Sequence, residues 1–155
     1  MLVNTKHFGE IELDEEKIIH FEQGIMGFEE YKNYTLIYDI EEGENHVISW
    51  LQSLDDAALA LPVINPYLVK ADYDPRVEDE LLKPLGEIKE DSLIVFTSLT
   101  VPSDVKKMSA NLKAPFVING DTKKGIQVIV ENTDYAVKYN VYEAIQELKK
   151  EKGDA

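Results

Sequence analysis

Short runs of alternating polar and apolar residues recur along this chain, and turn residues such as Gly, Pro, Asn and Asp separate them. Alternation with a period of two is typical of β-strands that are buried on one face. The pattern predicts strands at residues 10–13, 17–21, 34–40, 46–52, 58–64, 92–99, 116–119 and 125–130. These runs recur at short spacing, without the long helical crossovers that a parallel sheet requires. We therefore expect a mostly β, mostly antiparallel single domain over residues 1–155, either barrel-like or sandwich-like, with a few short helices.

Three segments add detail to this prediction. Residues 58–64 are almost wholly apolar, which predicts burial on both faces, but Pro62 cannot donate a ladder hydrogen bond and indicates a sheet edge or a bulge. A Gly-containing loop of about five residues follows residue 119, so the two flanking strands predict a hairpin. The sequence Glu-Glu-Gly-Glu at residues 41–44 predicts another turn.

Helices are expected to be few and short. Residues 103–108 can form a brief helix capped by Ser103, and residues 76–82 can form another that Pro84 and Gly86 close. Residues 140–155 are expected to form a C-terminal helix or a flexible tail. A helix there would align three apolar side chains on one face, namely Ala144, Ile145 and Leu148.

The composition excludes several classes of protein. The chain has 155 residues, of which 44% are hydrophobic and none is cysteine. It can therefore bury an ordinary core, but it cannot use disulfides, thiolate metal sites or a cysteine nucleophile. The first residues lack the apolar stretch of a signal peptide, and no window approaches the ~18 apolar residues of a membrane-spanning helix. We expect a cytoplasmic protein that does not bind membranes.

Negative charge is concentrated in the first three-fifths of the chain. Residues 1–91 contain 22 acidic and 7 basic residues (net −15), and residues 92–155 contain 8 acidic and 9 basic residues (net +1), which together give the net charge of −14. Such a surface repels nucleic acid and anionic membranes and attracts a basic protein partner. Alternatively, the acidic residues only keep the protein soluble.

The histidines and glycines form no recognised catalytic or metal-binding pattern. His7, His20 and His46 fit neither HxH nor HExxH, so a structural role is expected for each of them. The phosphate-binding and nucleophile motifs GxGxxG, GxxxxGK[ST] and GxSxG are missing from the sequence. These patterns therefore do not predict an enzyme.

Two pairs of aspartates are candidates for metal binding or acid–base chemistry. The fragment that starts at Asp72 resembles the beginning of a calcium loop, but Arg76 and Val77 stand where the loop needs a ligand and a glycine. Asp55 and Asp56 are neighbours, so on a strand they would point to opposite faces and could not act as an acid–base pair. A turn or capping role is expected for both. We predict a protein that is not an enzyme and needs no cofactor or metal.

Two apolar features are compatible with binding. Trp50 is either a core residue or an interface anchor, because tryptophan is common in both settings. Residues 108–115 (Met-Ser-Ala-Asn-Leu-Lys-Ala-Pro) fit neither a long helix nor a strand. Irregular loops held by a rigid sheet often carry binding, so this segment is a candidate site.

Several segments together resemble the flagellar assembly factor family FliW from end to end. The resemblance is carried by residues 20–28 (HFEQGIMGF), 50–56 (WLQSLDD), 65–67 (NPY), 108–112 (MSANL) with 114–115 (AP), and 117–119 (VIN). Met26 stands where the family's GIPGF motif has proline, and Lys138-Tyr139 stands where the tail often reads Arg-His. The order and spacing of these segments, and no single one of them, make the resemblance specific.

The resemblance implies a small β-barrel-like fold and a partner-switching role. FliW-like proteins bind CsrA, an RNA-binding translational repressor, and prevent it from silencing flagellin mRNA; they also bind flagellin, which then frees CsrA. We hypothesise that an acidic cluster faces CsrA, comprising Asp72, Asp74, Glu78, Asp79 and Glu80. We hypothesise that an apolar groove takes an amphipathic helix of flagellin and uses Met108, Asn111, Leu112 and Pro115.

Two other classes of function compete with this interpretation. One is a β-barrel that binds a small ligand or hydrolyses it with buried carboxylates, which a deep apolar pocket with two opposed carboxylates would favour. The other is a nucleic-acid mimic whose carboxylates imitate phosphates. The mimic would compete with RNA at one shared surface, whereas an acidic neighbour would repel RNA from beside it.

Overall fold

The computed structural model describes residues 1–38 and 47–153. Within these ranges the strands are Leu2–Thr5 (β1), Gly9–Glu12 (β2), Ile19–Phe21 (β3), Asn33–Tyr38 (β4), Ile48–Ser53 (β5), Ala60–Ile64 (β6), Leu93–Thr100 (β7), Ser109–Ala110 (β8), Phe116–Asn119 (β9), Lys124–Gln127 (β10) and Tyr139–Asn140 (β11). The α-helices are Pro66–Val69 (α1), Asp79–Leu82 (α2) and Tyr142–Gly153 (α3). The prediction of a mostly β fold with short helices is confirmed.

Seven strands close into a barrel in the order β7-β6-β5-β4-β3-β10-β9, because β9 pairs back onto β7. Closure removes the exposed edges that an open sheet would present. The neighbouring strands are antiparallel except for β10 and β3, which run parallel over the short register Lys124↔His20 and Gly125↔Phe21. Strands β8 and β11 extend the sheet beyond the far end of β7. The barrel-like, mostly antiparallel architecture is therefore the one that this chain adopts.

Each predicted strand overlaps an observed strand, and the main differences lie at strand ends. The hairpin of β9 and β10 is present, with Lys124 paired to Asn119 and a loop of four residues, 120–123, between them. Residues 39–46 lie outside the described residues. They include the predicted turn at 41–44, His46 and the adjoining ends of two predicted strands. Three short strands, β1, β8 and β11, and the helix α1 were not predicted.

The prediction of a sheet edge at Pro62 is wrong. Strand β6 lies between β5 and β7, and Pro62 is paired with Trp50 of β5. The ladder between β6 and β7 contains only Val63 and Ile64, so Pro62 lies one residue outside it. A proline is tolerated in this central strand because the β7 ladder has not yet begun at its position.

Aromatic and aliphatic side chains fill the barrel. The Phe21 ring is edge-on to the rings of Tyr34 and Phe116, at centroid distances of 5.3 Å and 6.1 Å. A Cβ atom at Gly125 would lie 2.7 Å from the Phe21 ring, so only glycine fits on β10 at this point. The side chains of Leu51 and the other interior residues complete the cluster, which consists of Ile19, Phe21, Ile25, Tyr34, Leu51, Val63, Phe116 and Ile118.

A second core lies outside the barrel, beneath α1 and α3. Ile145 of α3 is buried in this core, and Ala144 and Leu148 pack against it. The predicted C-terminal helix and its apolar face are confirmed. The helix predicted at residues 76–82 is shorter than expected and consists of α2, after which a 3₁₀ turn, Lys83–Leu85, ends at Gly86 with φ of 80°.

The segment predicted as a helix at residues 103–108 is a single 3₁₀ turn, Val105–Lys107. Its capping residue is Asp104 and not Ser103, because the Asp104 carboxylate accepts a hydrogen bond from the Lys106 amide at 3.2 Å. Three residues are too few to form an α-helical hydrogen-bond pattern, so the segment serves as a turn between β7 and β8.

The turn between β1 and β2 contacts the outer side of β5. Trp50 points away from the barrel interior, and its ring lies 4.2 Å from that of His7, between centroids. The Gln52 side chain is buried and accepts a hydrogen bond from the Lys6 amide at 3.0 Å. Its amide nitrogen donates to the carbonyls of Ala57 and Leu59. Trp50 is half-buried and packs against the turn of the hairpin through His7.

Candidate protein-binding surfaces

The predicted acidic cluster lies on the connection between β6 and β7. We call residues 72–80 the acidic segment; it follows α1 and reaches into α2. All five predicted residues in it are exposed, namely Asp72, Asp74, Glu78, Asp79 and Glu80. The structure therefore brings these carboxylates onto one connection and leaves them accessible to a partner.

Two of these five carboxylates have cationic neighbours. Asp72 is 2.9 Å from the Nζ atom of Lys70, and this hydrogen bond and charge lower the pKa of Asp72 below its usual value. Glu80 is 2.9 Å from the Nζ atom of Lys83. In the described part of the chain, the other three carboxylates form no ion pair. The unneutralised charge of the acidic segment therefore comes from Asp74, Glu78 and Asp79.

The main chain of the acidic segment is anchored to the second core. The hydroxyl of the buried Tyr73 donates a hydrogen bond to the Leu112 carbonyl at 2.8 Å. The Asp74 amide donates to the Tyr135 hydroxyl at 2.7 Å. The Asn132 side chain accepts from the amide of Arg76 at 2.7 Å and donates to the carbonyl of Asp74 at 3.0 Å. These contacts hold the acidic side chains in a defined place.

The 108–115 loop is held from within by Asn111. Its side-chain oxygen accepts hydrogen bonds from the main-chain amides of Lys113 and Ala114, both at 3.1 Å. The main-chain amide of Asn111 donates to the carbonyl of Ser98. Asn111 and Met108 are half-buried. Asn111 therefore shapes the turn that follows β8, which is a structural role that its side chain performs without a partner.

The expectation that the apolar residues of this loop form an exposed groove is wrong for two of them. Leu112 is only 1% exposed and belongs to the second core. Pro115 is also buried, directly before β9. Their burial follows from the position of the loop, because its main chain hydrogen-bonds to Ser98 on one side and to Ala136 on the other. Neither side chain can contact a partner in this conformation.

Exposed apolar residues are found instead on the segments that border the loop. We define the apolar rim as the exposed Val101, Val105 and Val137 together with the half-buried Met108. The Met108 amide donates to the Val105 carbonyl at 3.0 Å, and the carbonyl next to Val137, that of Ala136, accepts from Leu112. The sequence contained a signal for Val101 and Val105, because valines are unusual in the turn-forming segment Val-Pro-Ser-Asp-Val.

The remaining candidate polar residues have structural partners. The Nδ1 atom of His20 is 3.0 Å from the side-chain oxygen of Asn33. The Asp55 carboxylate accepts hydrogen bonds from the amides of Lys32 and Asn33, at 2.8 Å and 3.0 Å. Burial alone would raise the pKa of Asp55, but these donors outweigh it and hold the pKa below its usual value. Asp56 caps the adjacent turn by accepting from the Ala58 amide, so the predicted turn role of the pair is confirmed.

The small-ligand interpretation finds little support in the barrel. A cleft of about 250 Å³ lies among strands β3, β4, β7 and β9, with an apolar floor formed by Ile19, Leu36, Ile94 and Ile118. Glu16 is the one carboxylate that lines this cleft, so it lacks the opposed pair that hydrolysis would need. Among the described residues, no three His, Asp or Glu side chains form a group that could hold a metal ion. Within the same ranges, no helix is long and apolar enough to span a membrane.

The family model described as FliW protein matches residues 2–141. This chain belongs to the FliW family. The resemblance carried by residues 20–28, 50–56 and 108–115 is thereby confirmed. These segments are scattered in sequence, but in the FliW-family fold seen here they lie on β3 and its loop, on β5, and between β7 and β9.

Relatives of this FliW-family chain match it over almost its full length. The flagellar assembly factor FliW of Lachnoclostridium phytofermentans is 57% identical over 155 residues, which cover 99% of each chain. The flagellar assembly factor FliW of Lachnospira eligens is 54% identical over 147 residues, which cover 94% of this chain and 97% of the relative. The crystal structure of a flagellar assembly factor FliW is similar with a TM-score of 0.82 and 35% identity, and the match covers 91% of this chain and 96% of that one.

Proposed function

We propose that this FliW-family chain is a flagellar assembly factor that acts in the cytoplasm by binding the repressor CsrA and flagellin, and not by catalysis. The observation that carries the proposal is the 57% identity, over nearly the whole of both chains, to a protein named flagellar assembly factor FliW. In this proposal the chain relieves the repression of flagellin mRNA when it holds CsrA, and flagellin displaces CsrA.

The acidic segment is the proposed CsrA surface. An RNA-binding repressor must present Lys and Arg side chains to phosphates, so it offers a basic surface. Asp74, Glu78 and Asp79 are exposed and have no ion pair among the described residues, which leaves their charge available to a partner. The net charge of −14 also opposes direct binding of RNA to this chain.

The apolar rim is the proposed flagellin surface. Val101, Val105 and Val137 are exposed on the segments that border the 108–115 loop, and an amphipathic helix can cover such residues with its apolar face. The rim replaces the buried Leu112 and Pro115 of the original hypothesis. Exposed lysines lie next to it at positions 106, 107 and 138, so a helix with acidic residues on its polar face would fit best.

The link from Tyr73 to Leu112 supports competition between the two partners. It joins the acidic segment to the loop that the apolar rim borders. Tyr73 is buried and hydrogen-bonded to the loop, so a displacement of the loop would also move its neighbours Asp72 and Asp74. Binding at one surface would then alter the other without a shared contact.

The proposal is tested by reconstitution with purified proteins. We expect this chain and CsrA to elute together in size exclusion, and added flagellin to release CsrA into a separate peak. Absence of a complex with either protein would reject the proposal. Simultaneous binding of both partners in one complex would reject the exclusion part alone.

Charge neutralisation tests the acidic segment. We expect the triple variant Asp74→Asn, Glu78→Gln, Asp79→Asn to associate with CsrA at least tenfold more slowly at low salt and to show a flatter salt dependence. The control is a triple variant of equal charge change at exposed positions elsewhere, Glu10→Gln, Glu15→Gln and Glu16→Gln. Equal effects of the two triple variants would mean that only the total charge matters.

A further inference from the structure

Within the described residues, one edge of the chain beyond β10 has no neighbouring strand. The parallel pairing of β10 with β3 ends at Gly125, opposite Phe21, where β3 turns away. The chain nevertheless stays extended, because the amides of Val128 and Val130 donate to the carbonyls of Pro115 and Lys113, at 3.1 Å and 2.9 Å. In an extended chain alternate residues face opposite sides, so the main chain of the intervening residue, Ile129, faces away from Pro115.

Both the main chain and the side chain of Ile129 are accessible to a partner. Within the described ranges, its amide and carbonyl groups form no main-chain hydrogen bond. Its side chain is 56% exposed, whereas both neighbouring valines, Val128 and Val130, are buried. An unpaired main chain beside an exposed branched apolar residue is the arrangement to which another strand can add.

The open edge is a gap of limited length. At one end, the Met26 amide donates to the Gln127 side chain at 2.9 Å. At the other end, the Glu131 amide donates to the Arg76 carbonyl at 2.8 Å, so the same edge is already paired there by another segment. From residue 127 to residue 131 the chain rises about 13 Å, which accommodates about four residues of an extended peptide.

The surroundings of the gap define the chemistry of its occupant. Met26 is 47% exposed at the near end and adds a second apolar contact. The loop that contains Met26 and the residue two positions after Ile129 contribute exposed carboxylates, namely Glu22, Glu29, Glu30 and Glu131. Two cations lie at the far end, namely Arg76 and Lys113, whose Nζ atom donates to the Asn132 carbonyl at 3.3 Å. The net negative charge around the gap favours a peptide with apolar residues between basic ones.

We propose that the edge at Ile129 binds an extended segment of a protein partner, with apolar residues between basic ones, as an added β-strand. This proposal rests on the proposed function as a protein-binding factor, but it requires neither CsrA nor flagellin to be that partner. A helical segment cannot make these contacts, because a helix satisfies its main-chain groups internally. The surface adjoins the acidic segment at Arg76, but it includes neither the five carboxylates of that segment nor the apolar rim.

The test uses the acetylated and amidated peptide Lys-Val-Lys-Val-Lys-Val-Lys with the full-length protein. Titration calorimetry measures its affinity, and hydrogen exchange by NMR follows the Ile129 amide. We expect saturable binding and at least tenfold slower exchange of that amide in the complex. A peptide with N-methylated valines cannot donate from those positions, and we expect it to bind at least tenfold more weakly, as we expect of the peptide Glu-Val-Glu-Val-Glu-Val-Glu.

Two variants locate the binding. Ile129→Pro removes an amide that has no main-chain partner within the described ranges, and proline is accepted at a strand edge, so we expect a native circular dichroism spectrum and at least tenfold weaker peptide binding. Ile129→Ser should also weaken binding, whereas Val137→Ser, at a valine that is 58% exposed elsewhere, should leave it within twofold. If Ile129→Pro fails to fold, the N-methylated peptide provides the same comparison on the unchanged protein.

Absence of peptide binding at millimolar concentration, equal affinity for the N-methylated peptide, or unchanged exchange at Ile129 would each overturn the inference. These outcomes are separable from the proposed function. Failure to bind CsrA and flagellin leaves the peptide measurements as they are, and loss of peptide binding with both protein complexes intact rejects the strand-edge inference alone.

Discussion

The hydroxyl of Tyr73 donates a hydrogen bond of 2.8 Å to the main-chain carbonyl of Leu112. The two residues are 39 positions apart, and they join the acidic segment to the loop after β8. Both are almost fully buried, so the contact is shielded from water. Tyr34 offers a contrast inside the barrel, because its buried hydroxyl has no hydrogen-bond partner among the described residues, and burial raises its pKa to about 12.

We expect opposite effects when these two hydroxyls are removed. Tyr73→Phe leaves the Leu112 carbonyl without its donor and should lower the free energy of unfolding by about 1 kcal/mol. Tyr34→Phe removes an unsatisfied buried polar group and should raise the free energy of unfolding by about 1 kcal/mol, which is roughly 2–4 °C in Tm for a chain of this size. Urea and thermal denaturation measure both. Equal destabilisation by the two variants would mean that the Tyr34 hydroxyl has a partner.

Placing an aspartate at a buried or an exposed apolar position separates core residues from the apolar rim. Leu112→Asp puts a charge at a position that is 1% exposed, and we expect it to prevent folding. Val105→Asp, at a position that is 47% exposed, should keep the native circular dichroism spectrum and change the free energy of unfolding by less than about 0.5 kcal/mol. A pull-down with flagellin should then be weakened by Val105→Asp and not by Leu2→Asp, an exposed control on β1.

Two glycines of the Gly-Ile-Met-Gly loop should differ in their tolerance of alanine. Gly24 has φ of +71°, and a Cβ atom there would lie 2.5 Å from the Glu29 main chain. We expect Gly24→Ala to cost more than about 2 kcal/mol, because strain and a main-chain clash add together. Gly27 has φ of +89° with open space around it, so Gly27→Ala should cost only the strain, about 1 kcal/mol. Equal costs in urea denaturation would contradict this steric explanation.

Asp55 should contribute to stability in a pH-dependent way. Its pKa is lower in the folded protein than the value of about 3.9 expected in the unfolded chain, so its stabilisation is present above that value and is lost as pH falls through the folded pKa. We expect Asp55→Asn to destabilise the protein by about 1 kcal/mol or less at pH 7, because the group is largely solvated. The difference from the unchanged protein should shrink below about pH 4. Glu10→Gln controls for the loss of one charge, and a pH-independent difference would contradict the prediction.

Local patterns in the sequence were sufficient for most of the barrel. Alternation located most of its strands, because the side chains of a strand in a closed sheet face alternately inward and outward, and the strand at residues 58–64 was located as a short apolar run. The strands β8 and β11 contain two residues each, which is too short for any alternation to be visible. The motif segments were also sufficient to identify the family, because their order and spacing can be read from the sequence without knowledge of the fold.

The candidate site could be predicted only in part. Exposure of Asp72 and its acidic neighbours was predictable, because unpaired carboxylates are costly to bury. The burial of Leu112 was not predictable, because a leucine in an irregular loop is compatible with either side of a sheet. The strand edge at Ile129 also has no sequence signature, since the residue itself belongs to a run that reads as an ordinary strand.

The sequence by itself determined the strand content, the uneven distribution of charge and the absence of cysteine chemistry, because each is a property of single residues or of their close neighbours. Only the tertiary structure decided which side chains of the 108–115 loop are buried, that Tyr73 reaches Leu112, and that β3 leaves β10 before Ile129. These features depend on contacts between distant segments. Such contacts follow from how the whole barrel closes, and no local pattern encodes them.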